Sequence, residues 1–315
     1  MRIIYFGTPE FAVAGLEGLM NAGFDIVAVV TVPDKPSGRG MKLQCSAVKK
    51  FAIEKGLVIL QPVDLKEERF LQTLLELKPD LQIVVAFRIL PEIVWSLPSH
   101  GTYNLHASLL PQYRGAAPIQ HVIMRGEKLT GVTTFKLAQG MDTGSVALQQ
   151  TVKISEEMNG GELHDLLMEV GSSLLVRTVG LISQGKLELR KQETAGVQLI
   201  AAPRLFRQDM EINWKQTGCQ IINHIRALAP KPGATCEVVF LDQTTLSIKI
   251  LNAKFVADGS FVLGNIETGK QNYFHIGCID GWIEVLEMQA AGKGKMAVRD
   301  FLRGNNLAGG KLKLQ

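Results

Sequence analysis

The sequence predicts an α/β protein, with a mostly parallel, Rossmann-like sheet followed by a small C-terminal antiparallel β-barrel of OB-like kind. Three observations predict it. Through the first half, short apolar runs alternate with amphipathic stretches, the rhythm of βαβ units with right-handed crossovers. After Leu189 that rhythm stops. Beyond it, short extended runs are separated by Asp-Gly and Gly-Lys turns, the pattern of a small barrel.

Taken in order, Ile3 to Phe6, Ile26 to Val32, Val58 to Leu60 and Gln82 to Ala86 read as strands. Between them Phe11 to Ala22, Ala47 to Lys55 and Glu67 to Leu77 carry apolar residues near the 3.6 period and read as helices. Tyr103 to Ser108, Val132 to Leu137 and Val146 to Ile154 are extended, and Gly161 to Ile182 is a long amphipathic helix that closes the first part. Arg190 to Arg207 is a polar connection without a period. Thr217 to Ala227 forms a helix ended by Pro230 and Pro232, and strands follow at Thr235 to Leu241, Thr245 to Val256, Gln271 to Ile276 and Trp282 to Met288. The 315 residues suit about two domains of ~150 residues. The expected division is 1–189 as a catalytic domain, 190–207 as a linker and 208–315 as the barrel domain.

Composition narrows the class. With 46% hydrophobic and 20% charged residues, the chain is an ordinary globular one, neither disordered nor fibrous. Cys45, Cys219, Cys236 and Cys278 form no CxxC or Cys/His cluster, so no metal is expected and reduced cytoplasmic thiols are the default. No apolar run reaches ~18 residues, and no membrane partner is expected. The net charge of +4 is mild, but its distribution is uneven. Pro33 to Lys50 holds five basic residues against one acidic, in a loop-like Pro-Ser-Gly-Arg-Gly context, and Lys293 to Gln315 holds six against one.

Chemistry concentrates at Asn104-Leu-His-Ala-Ser108, where alternation puts Asn104, His106 and Ser108 on one strand face just before Pro111. The carboxyl edge of an α/β sheet is where such folds place their sites. Asp142, in Gly140-Met-Asp-Thr-Gly144, is a second polar spot, which by itself is equally well an Asx turn. Gly7-Thr8-Pro9 is not a dinucleotide fingerprint, and no Walker loop, Gly-x-Ser-x-Gly elbow or His-Glu-x-x-His helix occurs.

Five stretches carry a resemblance: Phe6-Gly-Thr-Pro-Glu-Phe-Ala12, Pro33-Asp-Lys-Pro-Ser-Gly-Arg-Gly40, Asn104-Leu-His-Ala-Ser-Leu-Leu-Pro111, Tyr113-Arg-Gly-Ala-Ala-Pro-Ile-Gln120 and Gly140-Met-Asp-Thr-Gly144. With Ile212-Asn-Trp214, Ile225-Arg226, Pro232-Gly-Ala234 and Asp300-Phe-Leu-Arg-Gly304, they resemble the folate-dependent formyltransferases, and among these the branch acting on methionyl-tRNA. The resemblance implies the formyltransferase fold, and formyl transfer from 10-formyltetrahydrofolate to the α-amino group of initiator methionyl-tRNA by a cytoplasmic monomer. It implies Asn104, His106 and Asp142 as catalytic residues. It further implies a folate site at Ser108, Leu109, Leu110 and Pro111, with Ala86, Arg88, Leu90 and Gln139, and tRNA contacts at Lys35, Arg39 and Lys42. Arg88 departs from the Gly that many members carry there. Relatives acting on a sugar nucleotide or on glycinamide ribonucleotide would use the same three catalytic residues, and a nucleic-acid-binding module without catalysis is the reading from another class.

Overall fold

A computed structural model describes residues 1–37, 42–257, 261–269, 273–305, 307 and 310–313. Its elements in chain order are β1 (Arg2–Gly7), α1 (Glu10–Asn21), β2 (Asp25–Val30), β3 (Lys35–Ser37), β4 (Lys42–Gln44), α2 (Ala47–Glu54), β5 (Ile59–Leu60), α3 (Glu68–Glu76), β6 (Leu81–Val85), α4 (Glu92–Trp95) and β7 (Thr102–His106). Then come α5 (Pro118–Met124), β8 (Leu129–Lys136), β9 (Val146–Lys153), α6 (Gly160–Ser183), α7 (Gly218–Leu228), β10 (Ala234–Val239), β11 (Thr245–Val256), β12 (Ile266–Glu267), β13 (His275–Gly277), β14 (Trp282–Ala290), β15 (Met296–Ala297), α8 (Val298–Gly304) and β16 (Lys311–Leu312).

The first sheet runs β5-β2-β1-β6-β7-β8-β9. Pairings from β5 to β7 are parallel, whereas β7–β8 and β8–β9 are antiparallel. β1 and β6 are buried almost throughout, which is why their sequences read as continuous apolar runs instead of alternating ones. Ile4, Phe6, Ala28, Val30 and Val84 pack with Phe70 and Leu74 of α3 on one face. On the other face Tyr5 donates its hydroxyl to the Ala12 carbonyl at 2.6 Å, so a buried phenol keeps its hydrogen bond. Ser172 of α6 donates to the Ala14 carbonyl of α1 at 2.7 Å, and a Cβ on Gly15 would lie 3.0 Å from Leu175, so glycine lets these two helices approach closely. The strand order switches direction between β1 and β6, and a crevice at such a switch point is the expected ligand position.

By length and composition α6, 24 residues long, is apolar enough to cross a membrane. Its buried side chains, among them Leu167, Leu174, Leu175, Val179 and Ile182, recur at three- and four-residue spacing and alternate with exposed positions, the pattern of a helix packed on a sheet.

The second sheet runs β12-β13-β14-β11-β10-β16, with β15 on β14. A bridge between Asn265 and Lys311 joins its two ends into a nearly closed barrel. α7 contributes Ile221, Ile225 and Leu228 to the barrel core, and its start is fixed by a capping box in which Thr217 and Gln220 bond each other's backbone. Such a cap contributes about 1 kcal/mol. Arg226 donates to the carbonyls of Ser155, Glu156 and Met158 at 3.0, 3.0 and 3.1 Å, pinning that segment to α7.

Two compact units result. Met1–Gly115, Leu129–Lys153 and His164–Ala201 form the first, and Ala116–Lys128, Ile154–Leu163 and Ala202–Gln315 form the second. The βαβ half and the barrel both follow the sequence expectation, with most strand ends shifted by no more than two residues, while β8 starts three residues before and β13 four residues after the expected start. Several elements were not expected: the paired β3 and β4 in a stretch of loop-like composition, the short helices α4, α5 and α8, and the two-residue strands β12, β15 and β16.

Candidate active site

Asn104 and His106 lie on β7, where Asn104 pairs with Val84 and Phe135 and His106 pairs with Thr133. The pleat sends both side chains to one face, at the carboxyl end of the strand. The Asn104 amide is half-buried and, among the described residues, has no protein partner, so its donor is available to a ligand. His106 is only 6% exposed. Its Nε2 lies 2.9 Å from the Tyr113 carbonyl, an acceptor only, so the neutral ring carries its proton there. That leaves Nδ1 facing Asp142, whose Oδ2 is 3.9 Å away.

Asp142 Oδ2 accepts the Gly115 N–H at 2.9 Å, which joins the Gly140–Gly144 loop to the turn after β7. Asp142, Tyr113 and Ala86 have φ of +53°, +58° and +47°, three of the five non-glycine residues in the left-handed region among the described residues. A side chain held there costs about 1–2 kcal/mol, and such strain gathers at functional sites because the surroundings must overrule it. Gly144 is required by space. A Cβ there would strike the Lys136 carbonyl.

Ser108 lies beyond the end of β7, its hydroxyl 3.5 Å from the same Tyr113 carbonyl that His106 reaches. Its hydroxyl donates to the Gln112 carbonyl at 2.6 Å, so it shapes the turn. Thr133 holds the same turn from β8, donating to the Ser108 carbonyl at 2.6 Å and accepting the Leu110 N–H at 3.2 Å. Leu110 and Leu90 are buried, while Leu109 and Pro111 are half-buried. Ala86 and Gln139 are exposed, and the Gln139 carbonyl accepts from Thr143 at 2.9 Å. Arg88 donates to the carbonyls of Val63 and Pro62 at 2.9 and 2.8 Å, tying the loop after β6 to the loop after β5. Gln61 continues that tie, donating to the Val32 carbonyl at 2.7 Å and to Asp34 at 2.9 Å. Lys35 is exposed at the start of β3. Arg39 and the Lys42 side chain lie outside the described residues.

A formyl transferase family model matches residues 1–179, and a model for the formyl transferase C-terminal domain matches residues 204–306. A methionyl-tRNA formyltransferase of Parabacteroides distasonis is 44% identical over 96% of this chain and 95% of its own length. One from Phocaeicola vulgatus is 46% identical over the same shares. The chain belongs to the methionyl-tRNA formyltransferase family. Among solved structures this formyltransferase is similar in fold to WlaRD, a sugar 3N-formyl transferase solved with dTDP and 5-N-formyl-THF, at TM-score 0.63 and 20% identity over 93% of this chain and 99% of that one. A glycinamide ribonucleotide transformylase of Symbiobacterium toebii matches at TM-score 0.52 and 16% identity, covering 61% of this formyltransferase and 94% of that chain.

The second unit of this formyltransferase carries a groove of about 1050 Å³ between α7, the segment after β9, β11 and β14. Its lysines are paired, Lys128 with Glu156, Lys254 with Glu284 and Lys295 with Glu287 at 2.9, 3.0 and 2.8 Å, and its Arg226 donates to backbone carbonyls. Free positive charge lies elsewhere in that unit. Lys293, Arg299 and Lys311 have no carboxylate partner among the described residues, whereas Arg303 and Lys313 pair with Asp300 and Glu237.

Proposed function

We propose that the protein transfers a formyl group from 10-formyltetrahydrofolate to the α-amino group of initiator methionyl-tRNA, giving N-formylmethionyl-tRNA for translation initiation. The observation that carries this reading is the Asn104 amide, without a partner among the described residues, beside the His106–Asp142 pair in a chain 42–46% identical to methionyl-tRNA formyltransferases over nearly its full length.

The α-amino group of an amino acid has an intrinsic pKa near ~7.7–8.0, so a useful fraction is already nucleophilic at neutral pH. Its nitrogen attacks the formyl carbon, forming the new C–N bond and a tetrahedral oxyanion. Asn104 donates its amide to that oxygen, a contact worth about 2.7–4 kcal/mol where single donors have been removed. The proton lost by the attacking amine passes through water beside Asp142 to His106 Nδ1, the free ring nitrogen held toward the carboxylate, and from there to the folate nitrogen as the old C–N bond breaks.

The folate contacts are assigned to Ser108–Pro111, Ala86, Arg88, Leu90 and Gln139, and the tRNA contacts to Lys35, Arg39 and Lys42. Residues 1–189 then serve as the catalytic domain and 208–315 as the tRNA-binding domain, whose Lys293, Arg299 and Lys311, without a carboxylate partner among the described residues, suit a phosphate backbone. No metal has a role in this scheme. A purified sample offered methionyl-tRNA, a dTDP-linked amino sugar and glycinamide ribonucleotide with the same formyl donor is expected to formylate the tRNA alone. Preferential transfer to either small amine would overturn the assignment of the acceptor.

A further inference from the structure

The stretch after Leu189 reads from sequence as a linker, yet it is bonded at several points to the loops that carry the site. Arg190 forms an antiparallel bridge with Val146, with N–H···O distances of 2.7 and 2.9 Å. Further along, Tyr113 donates its N–H to the Ile200 carbonyl at 2.7 Å, and Gln112 bonds the backbone of both Ile200 and Gln198 at 2.8 and 3.1 Å. Between these anchors lies Gln192, half-buried.

Its side chain is fully used. Nε2 donates to the Asp142 carbonyl at 2.7 Å and to the Gly144 carbonyl at 2.8 Å. Oε1 accepts from the Arg114 guanidinium at 2.6 and 3.2 Å. One amide has two N–H donors and one oxygen with two lone pairs, and all four positions are filled. The bonds run to the two loops that hold the site. The Tyr113–Gly115 turn holds His106 through the Tyr113 carbonyl, and it holds the Asp142 carboxylate through the Gly115 N–H. The 142–144 segment carries Asp142 in its left-handed conformation.

We infer that Gln192 is a positioning residue for formyl transfer, clamping the Asp142 loop to the turn after β7 so that the carboxylate stays opposite His106. This rests on the reading of Asp142 as the carboxylate of the active site. Gln192 acts through Asp142 and touches no reacting atom. Its two donors on carbonyls two residues apart fix the orientation of the strained 142–144 backbone, which local propensity alone would not hold. The linker is therefore part of the site's support, and placement errors of about 1 Å in such support cost up to ~100-fold in rate.

The test is steady-state formyl transfer to methionyl-tRNA by native protein, Gln192→Ala, Gln192→Glu, Asp142→Asn and the Gln192→Ala/Asp142→Asn double variant. Gln192→Ala is expected to lower kcat about 10- to 100-fold with the KM for folate and for tRNA unchanged. Gln192→Glu keeps an acceptor for Arg114 but loses the donors and sets charge against two carbonyls, so it is expected to fall as far as Ala. In the Asp142→Asn background the Ala substitution is expected to cost nothing more, because the group it positions is already gone. A native-like kcat for Gln192→Glu, or a full additive loss in the double variant, would overturn the inference while leaving Asp142's role intact. An Asp142→Asn protein as active as native would overturn the inference together with the reading of the site. If Gln192→Ala fails to fold, Gln192→Glu, which retains the Arg114 contact, carries the test.

Discussion

Three of the four cysteines show how far burial sets chemistry at a single side chain. Cys236 on β10 is buried, and burial, followed by the charge of Glu237, pushes its thiol far above the ordinary thiol range. Cys278 is pushed up by burial as well, with its Sγ 3.3 Å from Asp280. Cys219, in the first turn of α7, is exposed. Since the thiolate is the reacting form, iodoacetamide on the folded protein is expected to label Cys219, with Cys236 and Cys278 labelled only after unfolding. Mass spectrometry of the labelled peptides reads this directly, and rapid labelling of Cys236 in the native state would contradict the packed barrel core. At this scale Asn104 and His106 were legible in the sequence, because period-two alternation puts two polar side chains on one face of an otherwise apolar strand. Tyr113 and Gln192 were not, since one acts through its backbone carbonyl and the other through bonds across 50 and 78 residues of chain. Ser108 lies two positions past the end of β7, where alternation no longer fixes the side chain and its hydrogen bond to the Gln112 carbonyl does.

Among the elements, α7 carries a pH-sensitive contact. Burial pushes the His224 imidazole below its usual range, against the opposing influence of the Met210 carbonyl, 3.5 Å from Nε2, and of Asp209. The unfolded chain, with an imidazole near about 6.5, then takes up a proton that the folded chain refuses. Stability from this group is full above about pH 6.5 and is lost as pH falls toward the lowered folded value. The urea midpoint of native protein is expected to drop more than that of His224→Gln on going from neutral to mildly acidic pH, and parallel drops in the two proteins would contradict it. Element boundaries followed sequence well where the pattern was long, as in α6 and β11, because many residues vote on one period. The β3–β4 pair escaped because Pro-Ser-Gly-Arg-Gly is turn chemistry whether or not short arms flank it. α5 and α8, seven residues each, are too short for a helical period to stand out.

Across the whole molecule, both halves expected from sequence are present, a mostly parallel sheet and a nearly closed barrel. The compact units interleave in sequence, however, since α5 and the segment after β9 cluster with the barrel. Such interleaving depends on long-range packing and leaves no compositional break to read. The first unit carries the groups that make and break the formyl bond in our scheme, centred on the Asn104 amide, which has no partner among the described residues. The most direct measurement is single-turnover transfer of labelled formyl from 10-formyltetrahydrofolate to methionyl-tRNA by the native protein and by Asn104→Ala, with tetrahydrofolate binding measured in parallel. The account predicts transfer by the native protein, a loss of about 10²–10³ in rate for the variant, and similar folate affinity for both. An Asn104→Ala protein that transfers formyl at the native rate would contradict it.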